Sequence, residues 1–506
     1  MISEKSSTSW LQKLWSSLPR LVTGIVALLL VVILVLAWPL LTQSTPKYSN
    51  INEHFKYGSI GGASNMGIPY WIWRVMPVMF PEYLPVDAYQ VPGDGVNQFG
   101  FMQEVDHDLP IGFAHDTYLG LDVVTNNCAF CHVGTVREST AFPSEIIPAM
   151  PSNVVNLEAY FFFITRISGD PRFNAREMMP YIEQEAKAQG TKLNPLQSLL
   201  YRYIAIPQTR ALLSVQASRL TFLDEQPLYG PGRVDTFTPY KSRAFNFIVE
   251  DLPKKETQGS ASDFPSIWNQ RPRQGMNLHW DGNNDSVAER NKSAALALVS
   301  PTNINLDSIT LTANWLLDLP APKYPYAINT ELAAQGQPIF EQNCASCHAF
   351  GSEKVGKVTP LETIGTDTGR FDSYTPEFAA NQYSLFAGII YKGEDQRFTH
   401  FQKTKGYANH PLDGLWLRAP YLHNGSVPTL KDLLEKPENR PGKFYRGNDV
   451  FDQENFGFVS DLATDDGRSF FEYDTSEPGN GNGGHLFGID LAPTDKTALI
   501  EYMKTL

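Results

Sequence analysis

The chain has 506 residues, 42% of them hydrophobic and 19% charged, with a net charge of −13. That length and apolar content suit a folded protein of two or three modules and exclude a disordered chain. The acidic balance argues against nucleic acid as a partner, because phosphate binding draws on basic patches.

Residues 1–20 carry Lys5, Lys13 and Arg20 and read as a short cytoplasmic tail. No charged residue occurs from Leu21 to Pro46, and residues 21–41, "LVTGIVALLLVVILVLAWPLL", are apolar nearly throughout. About 20 such residues in a helix cross the hydrocarbon core. The run is longer than a signal-peptide core of ~7–15 residues, and it lacks a small-x-small cleavage site. Trp15 and Trp38 stand where interfacial aromatics belong. The expectation is one N-terminal transmembrane helix in the inner (cytoplasmic) membrane, with the rest of the chain in the periplasm.

Residues 42–100 are rich in proline, glycine and aromatics, as in "GIPYWIWRVMPVMFPEYLPVD", and predict an irregular membrane-proximal segment. Helical patterns follow over 154–167 and 195–213. "LLDLPAPKYPYAIN" has Pro320, Pro322 and Pro325 in a short span and reads as a linker. It separates a first module, 101–325, from a second, 326–506. A helix is predicted from Thr330 into the second module, bent or broken at Pro338. The last segment, "PTDKTALIEYMKTL", predicts a helix capped by Thr494 with Leu499, Ile500, Met503 and Leu506 as an apolar stripe. Strand signals are few and short, so the expected class is mainly α.

All four cysteines fall in two matching heptapeptides, "NNCAFCH" and "QNCASCH". They are Cys128 and Cys131 followed by His132, and Cys344 and Cys347 followed by His348. A four-thiolate zinc site needs the two pairs to converge, although they lie far apart in the chain. A thioredoxin-like dithiol calls for one site and no obligatory histidine. Covalent haem c accounts for every feature. Cysteines three apart lie about one helical turn from each other, so each can form a thioether with a haem vinyl. The next residue, histidine, then faces the iron. Two covalently attached haem c groups are expected.

The surroundings of the frames carry a family resemblance. The helices "AAQGQPIFEQNCASCH" and "KTALIEYMKTL" resemble the first and last helices of a cytochrome c fold. "LDGLWLRAPYLHNGSVPTLKDLLEKPENRPGKFYRGNDVFD" and "FPSIWNQRPRQGMNLHWDGNNDSVAERN" resemble recurrent phrases of the bacterial di-haem cytochrome c peroxidase superfamily. Asn-Gly-Ser-Val-Pro and the late "GNGNGGH" are similar to the haem-dependent rubber oxygenase-like branch. The resemblance runs from about residue 100 to the C-terminus. It implies two cytochrome c-like haem domains with long loop insertions and, as in many relatives, a calcium ion between them.

His485 follows glycines that let backbone approach a haem plane without a Cβ in the way, and the resemblance implies that it is the second ligand opposite His348. His423 in "YLHNGS" is the alternative, while Met503 reads as core. No histidine occurs between His132 and His279. The early distal histidine of many peroxidases is thus missing, and an open position on the first haem is expected. The resemblance aligns Glu289 with a peroxidase acid/base and Trp268 with an electron relay between haems. His279 stands for the usual Phe, and Asn283 and Asn284 for Arg-Ala. His279 reads as a distal-pocket donor or as a ring buried against Trp280.

The expected function is a redox enzyme acting on peroxide or dioxygen at the first haem. Its electrons would come through the second, from a redox partner protein or a quinol-linked donor. The alternative is a pure electron-transfer cytochrome of a membrane chain.

Overall fold

The computed structural model describes residues 44–85 and 95–506, with a few positions between 22 and 38. It is 40% helix and 13% strand, so the expected mainly α class is corrected to a mixed one. The strands are two to six residues long, and among the described residues seven of the eight sheets are single pairs. Pieces that short show little of the two-residue alternation by which a strand is read from sequence. Among the described residues no helix is long and apolar enough to cross a membrane. The expected transmembrane helix over 21–41 is therefore not supported. Most of that stretch, the tail 1–20 and residues 86–94 lie outside the described residues.

The segment expected to be irregular holds two helices. Ile51–Tyr57 is capped by the Asn50 side chain, and Tyr70–Met79 buries Trp73 and Met76. Beside them Phe113–Tyr118 and Leu121–Asn126 pair antiparallel, with Tyr118 opposite Leu121. Leu119 and Gly120, the two residues of the turn, have φ of 51° and 71°. Positive φ at both positions gives the type I′ turn, whose twist matches the flanking strands. Ile68–Pro69 adds a third strand against Val123 and Val124.

This sheet delivers the chain to the first cysteine frame. Asn127, fully buried, donates from Nδ2 to the Lys56 and Gly58 carbonyls at 3.1 and 3.0 Å. Its Oδ1 accepts the Ala129 amide at 3.0 Å and starts the turn Cys128–Phe130.

Two large apolar clusters fill the interior. One belongs to the first half and includes Trp73, Phe113, Phe130, Tyr160 and Phe163. The other joins the halves: Ala129 and Val133 from the first frame meet Trp268, Phe340, Trp416, Leu499 and Met503, with Cys128 and Cys344 packed on its edge. The proline-rich linker is part of this cluster. Tyr324 is buried in it, and the Pro322 carbonyl accepts Trp416 Nε1–H at 2.9 Å.

Helix Thr330–Asn343 starts at an Asn329 cap and runs unbroken through Pro338. Helix Pro493–Met503 starts after Ala492 rather than at a Thr494 cap. The two cross at Gly336, where an added Cβ would collide with the Ala498 carbonyl oxygen. Overpacking a tight contact costs typically ~1–3 kcal/mol, and here backbone is the obstacle. Gly336→Val should lower stability by about 3 kcal/mol, seen as a fall in the denaturant midpoint at constant slope.

Candidate functional site

The two cysteine frames fold alike. In the first, the Cys131 and His132 amides donate to the Cys128 carbonyl at 3.3 and 3.1 Å; in the second, those of Cys347 and His348 donate to the Cys344 carbonyl at 3.2 and 3.1 Å. All four cysteines are free of disulfides. Burial pushes the Cys128 and Cys344 thiols up to about 11. Among the described residues the one cluster of acidic, histidine or cysteine side chains close enough to hold a metal is Glu53, Glu104 and His107. The Lys56 ammonium already sits there, 2.8 Å from Glu53 and 2.6 Å from Glu104.

Each frame histidine is held the same way. His132 Nδ1–H donates to the Pro265 carbonyl at 3.0 Å, and His348 Nδ1–H to the His410 carbonyl at 2.7 Å. A carbonyl only accepts, so each ring carries its proton on Nδ1 and leaves the Nε2 lone pair for a metal. Burial, helped by the Arg290 charge, lowers His132 to about 3. Burial, with Arg418 nearby, also lowers His348. Both rings are therefore neutral, the form that binds metal.

His485 faces His348 with ring centres 6.2 Å apart. Two metal–imidazole bonds of about 2.0–2.1 Å, each continued by about 1.1 Å to the ring centre, give about 6.2 Å. One iron between the two rings therefore fits. The His485 Nδ1 is buried without a protein hydrogen-bond partner, and burial, then the neighbouring His348, lowers this ring to about 3.

The loop that aims His485 is pinned from several sides. Asn424 Nδ2 donates to the Gly479 and Gly481 carbonyls, both at 3.0 Å. Arg440 Nη1 donates to the Asn482 and Gly484 carbonyls at 2.6 and 2.9 Å. The His485 amide donates to the Ile364 carbonyl at 2.8 Å. Gly484 has φ of 74° and packs so close to the Gly365 backbone that a Cβ would collide with it. The run "GNGNGGH" thus serves close backbone packing. His423 stacks on Tyr407 with ring centres 4.1 Å apart, and Met503 is buried core.

The first frame differs. Among the described residues no imidazole stands from His132 as His485 stands from His348; its ring neighbour is Phe264 at 6.3 Å. Beside it lies a small cavity of about 60 Å³, partly open to solvent. Its wall includes Pro265, which holds His132, and His410, which holds His348. Trp268 also lines it, almost fully buried, with Nε1–H donating to the Asp413 carbonyl at 3.2 Å. His279 is in the wall too, at φ 61°, its Nδ1 bonded to Asn283 Oδ1 at 2.5 Å. Its ring stacks on Phe401, while Trp280 packs edge-on against His410.

Glu289 turns away from the cavity. One carboxylate oxygen accepts the Thr399 amide at 2.6 Å and its hydroxyl at 3.1 Å, and the other accepts the His400 amide at 3.0 Å and Asn284 Nδ2 at 3.3 Å. The next residue, Arg290, is the one in the cavity wall. Sequence reasoning passed over Arg290 and the two carbonyls. No residue type marks a carbonyl, and helical rotation of about 100° per residue separates Arg290 from Glu289. Glu289→Gln should cost about 1–3 kcal/mol of stability, measured by thermal unfolding, with the absorption spectrum of the purified protein unchanged.

Residues 406–446 match the RoxA-like, cytochrome c-like family model. This segment builds the second frame's surroundings, supplying the His410 carbonyl, Arg418, Asn424 and Arg440. The uncharacterized protein y4iJ of Sinorhizobium fredii (strain NBRC 101917 / NGR234) is 25% identical over 530 residues, covering 82% of this chain and 84% of its own length. The uncharacterized protein y4iM of the same organism is 32% identical over 252 residues, or 44% of this chain and 56% of its own length. The matched segment relates this chain to haem cytochromes c and implies haem c as its cofactor.

Proposed function

We propose that the chain is a di-haem c-type cytochrome working outside the cytosol. In this reading it is a redox enzyme that receives electrons at the second frame and spends them on a small oxidant, peroxide or dioxygen, at the first. The observation that carries this is the asymmetry of the frames. His348 is met at ligation distance by His485, and no described imidazole meets His132 in that way. Haem iron supplies one-electron chemistry and, where a coordination position stays free, a place for a small oxidant.

The side chains divide the work. Cys128, Cys131, Cys344 and Cys347 tether; His132, His348 and His485 ligate through neutral imidazole. Trp268 is buried in the cluster that packs on Cys128 and Cys344, and its oxidisable indole carries electrons between the frames. Exposed Leu486 and Phe487 directly follow His485, and exposed Phe350 stands two residues after His348. They form an apolar rim suited to a redox partner protein or a quinol-linked donor. Confinement of every cysteine to the frames suits an oxidising compartment, where spare thiols are a liability. The phrases shared with the di-haem peroxidase superfamily, and with its rubber oxygenase-like branch, support the same reading.

Electron paramagnetic resonance on the oxidised protein, made with a haem-attachment system, should show one low-spin and one high-spin ferric centre. His485→Ala should convert the low-spin centre to high-spin. Two low-spin signals in the wild type would replace the enzyme by a pure electron carrier. A denatured mass lacking two added porphyrins would sink the di-haem reading.

A further inference from the structure

The cavity wall carries more positive charge than the protein neutralises. Arg273, Arg290 and Arg418 all line it. Arg273 and Arg418 share one carboxylate, Asp413, whose Oδ1 is bonded by Arg273 Nη2 and lies 3.0 Å from Arg418 Nη2. Arg290 has no carboxylate partner among the described residues; its own hydrogen bond is a long one, 3.5 Å, to Asn291 Oδ1. The neighbouring Glu289 is engaged by Thr399 and His400. Asp263, the one acid among the described wall residues, is paired with Arg446 at 2.7 Å.

Two guanidinium charges are thus left over. Burial, and then the like charge of Arg273, lowers Arg290 to about 10. The three side chains are part-buried, and the fold brings them to one cavity with a single shared counter-charge.

We propose that this cavity is a carboxylate-binding site, with Arg290 as its principal clamp and Arg273 and Arg418 beside it, matched to a pair of carboxylates. The planar guanidinium fork fits a carboxylate in two parallel hydrogen bonds. The pair has two sources of the same chemistry: the propionate side chains of a tethered porphyrin, or a free small dicarboxylic acid. The first source rests on the di-haem reading; the second does not.

The test uses the full protein made with a haem-attachment system, with Arg290→Gln and Arg290→Lys variants, denatured mass, both reduction potentials and calorimetric titration with malonate. If porphyrin propionates fill the site, Arg290→Gln keeps both porphyrins by mass. One centre then becomes at least tenfold harder to reduce, about 59 mV for a one-electron couple, because a nearby cation favoured the reduced state. Arg290→Lys restores part of that shift, and malonate changes nothing. If a free acid fills the site, the wild type binds malonate saturably, Arg290→Gln weakens binding at least tenfold, and the potentials stay put. Unchanged potentials together with no saturable malonate binding would overturn the proposal. A protein without porphyrin defeats the di-haem reading and leaves the malonate titration to decide the site. Should Arg290→Gln not fold, Arg290→Lys carries the same comparison, since a point charge loses the paired geometry.

Discussion

The hydrogen bond from an imidazole Nδ1 to a backbone carbonyl is the interaction on which both cysteine frames depend. It fixes which nitrogen carries the proton, how the ring is turned and which lone pair is left over. The acceptors come from segments remote in the chain, Pro265 for His132 and His410 for His348. Both are set by the fold rather than by side-chain identity. The second contact reaches further, because His410 Nε2–H in turn donates to the His279 carbonyl at 3.0 Å. A line of hydrogen bonds therefore joins the second frame to the cavity wall beside the first. Any shift of the 406–446 segment moves His348 and that wall together.

The same segment also governs the ring that faces His348. Asn424 and Arg440 hold the glycine-rich loop by its carbonyls, and the loop holds His485. Two guanidinium or amide side chains thus orient a ring they do not touch. This arrangement holds His485 6.2 Å from the His348 ring although it is part of no regular element.

Legibility in the sequence followed chemistry and period. The frames were readable because cysteine is scarce and its spacing is short. Helices such as Leu157–Gly169 and Pro493–Met503 were readable because their apolar stripes span several turns. The strands were not, since a pair such as Arg233–Val234 with Ser262–Asp263 has too few residues for any period to emerge. The irregular reading of residues 42–100 mistook composition for irregularity: Tyr70, Trp71 and Trp73 stand on a helix packed in the first cluster, and Phe55 and Tyr57 on one packed in the second. His485 was singled out through its glycines, and the structure sets its ring 6.2 Å from that of His348. Glu289 and Arg290 show the limit, for a motif names neighbouring positions but not which of them the helix turns inward.

The apolar cluster shared by the halves has a mechanical consequence. Trp268 from one half and Phe340, Leu499 and Met503 from the other are buried against each other, and the proline-rich stretch between the halves is packed into the same mass. Burying a large apolar side chain fully is worth ~1.5–3 kcal/mol, so prising the modules apart would sacrifice many such contributions at once. The spacing between the frames is accordingly tied to this shared packing, like the gap of a soldered contact.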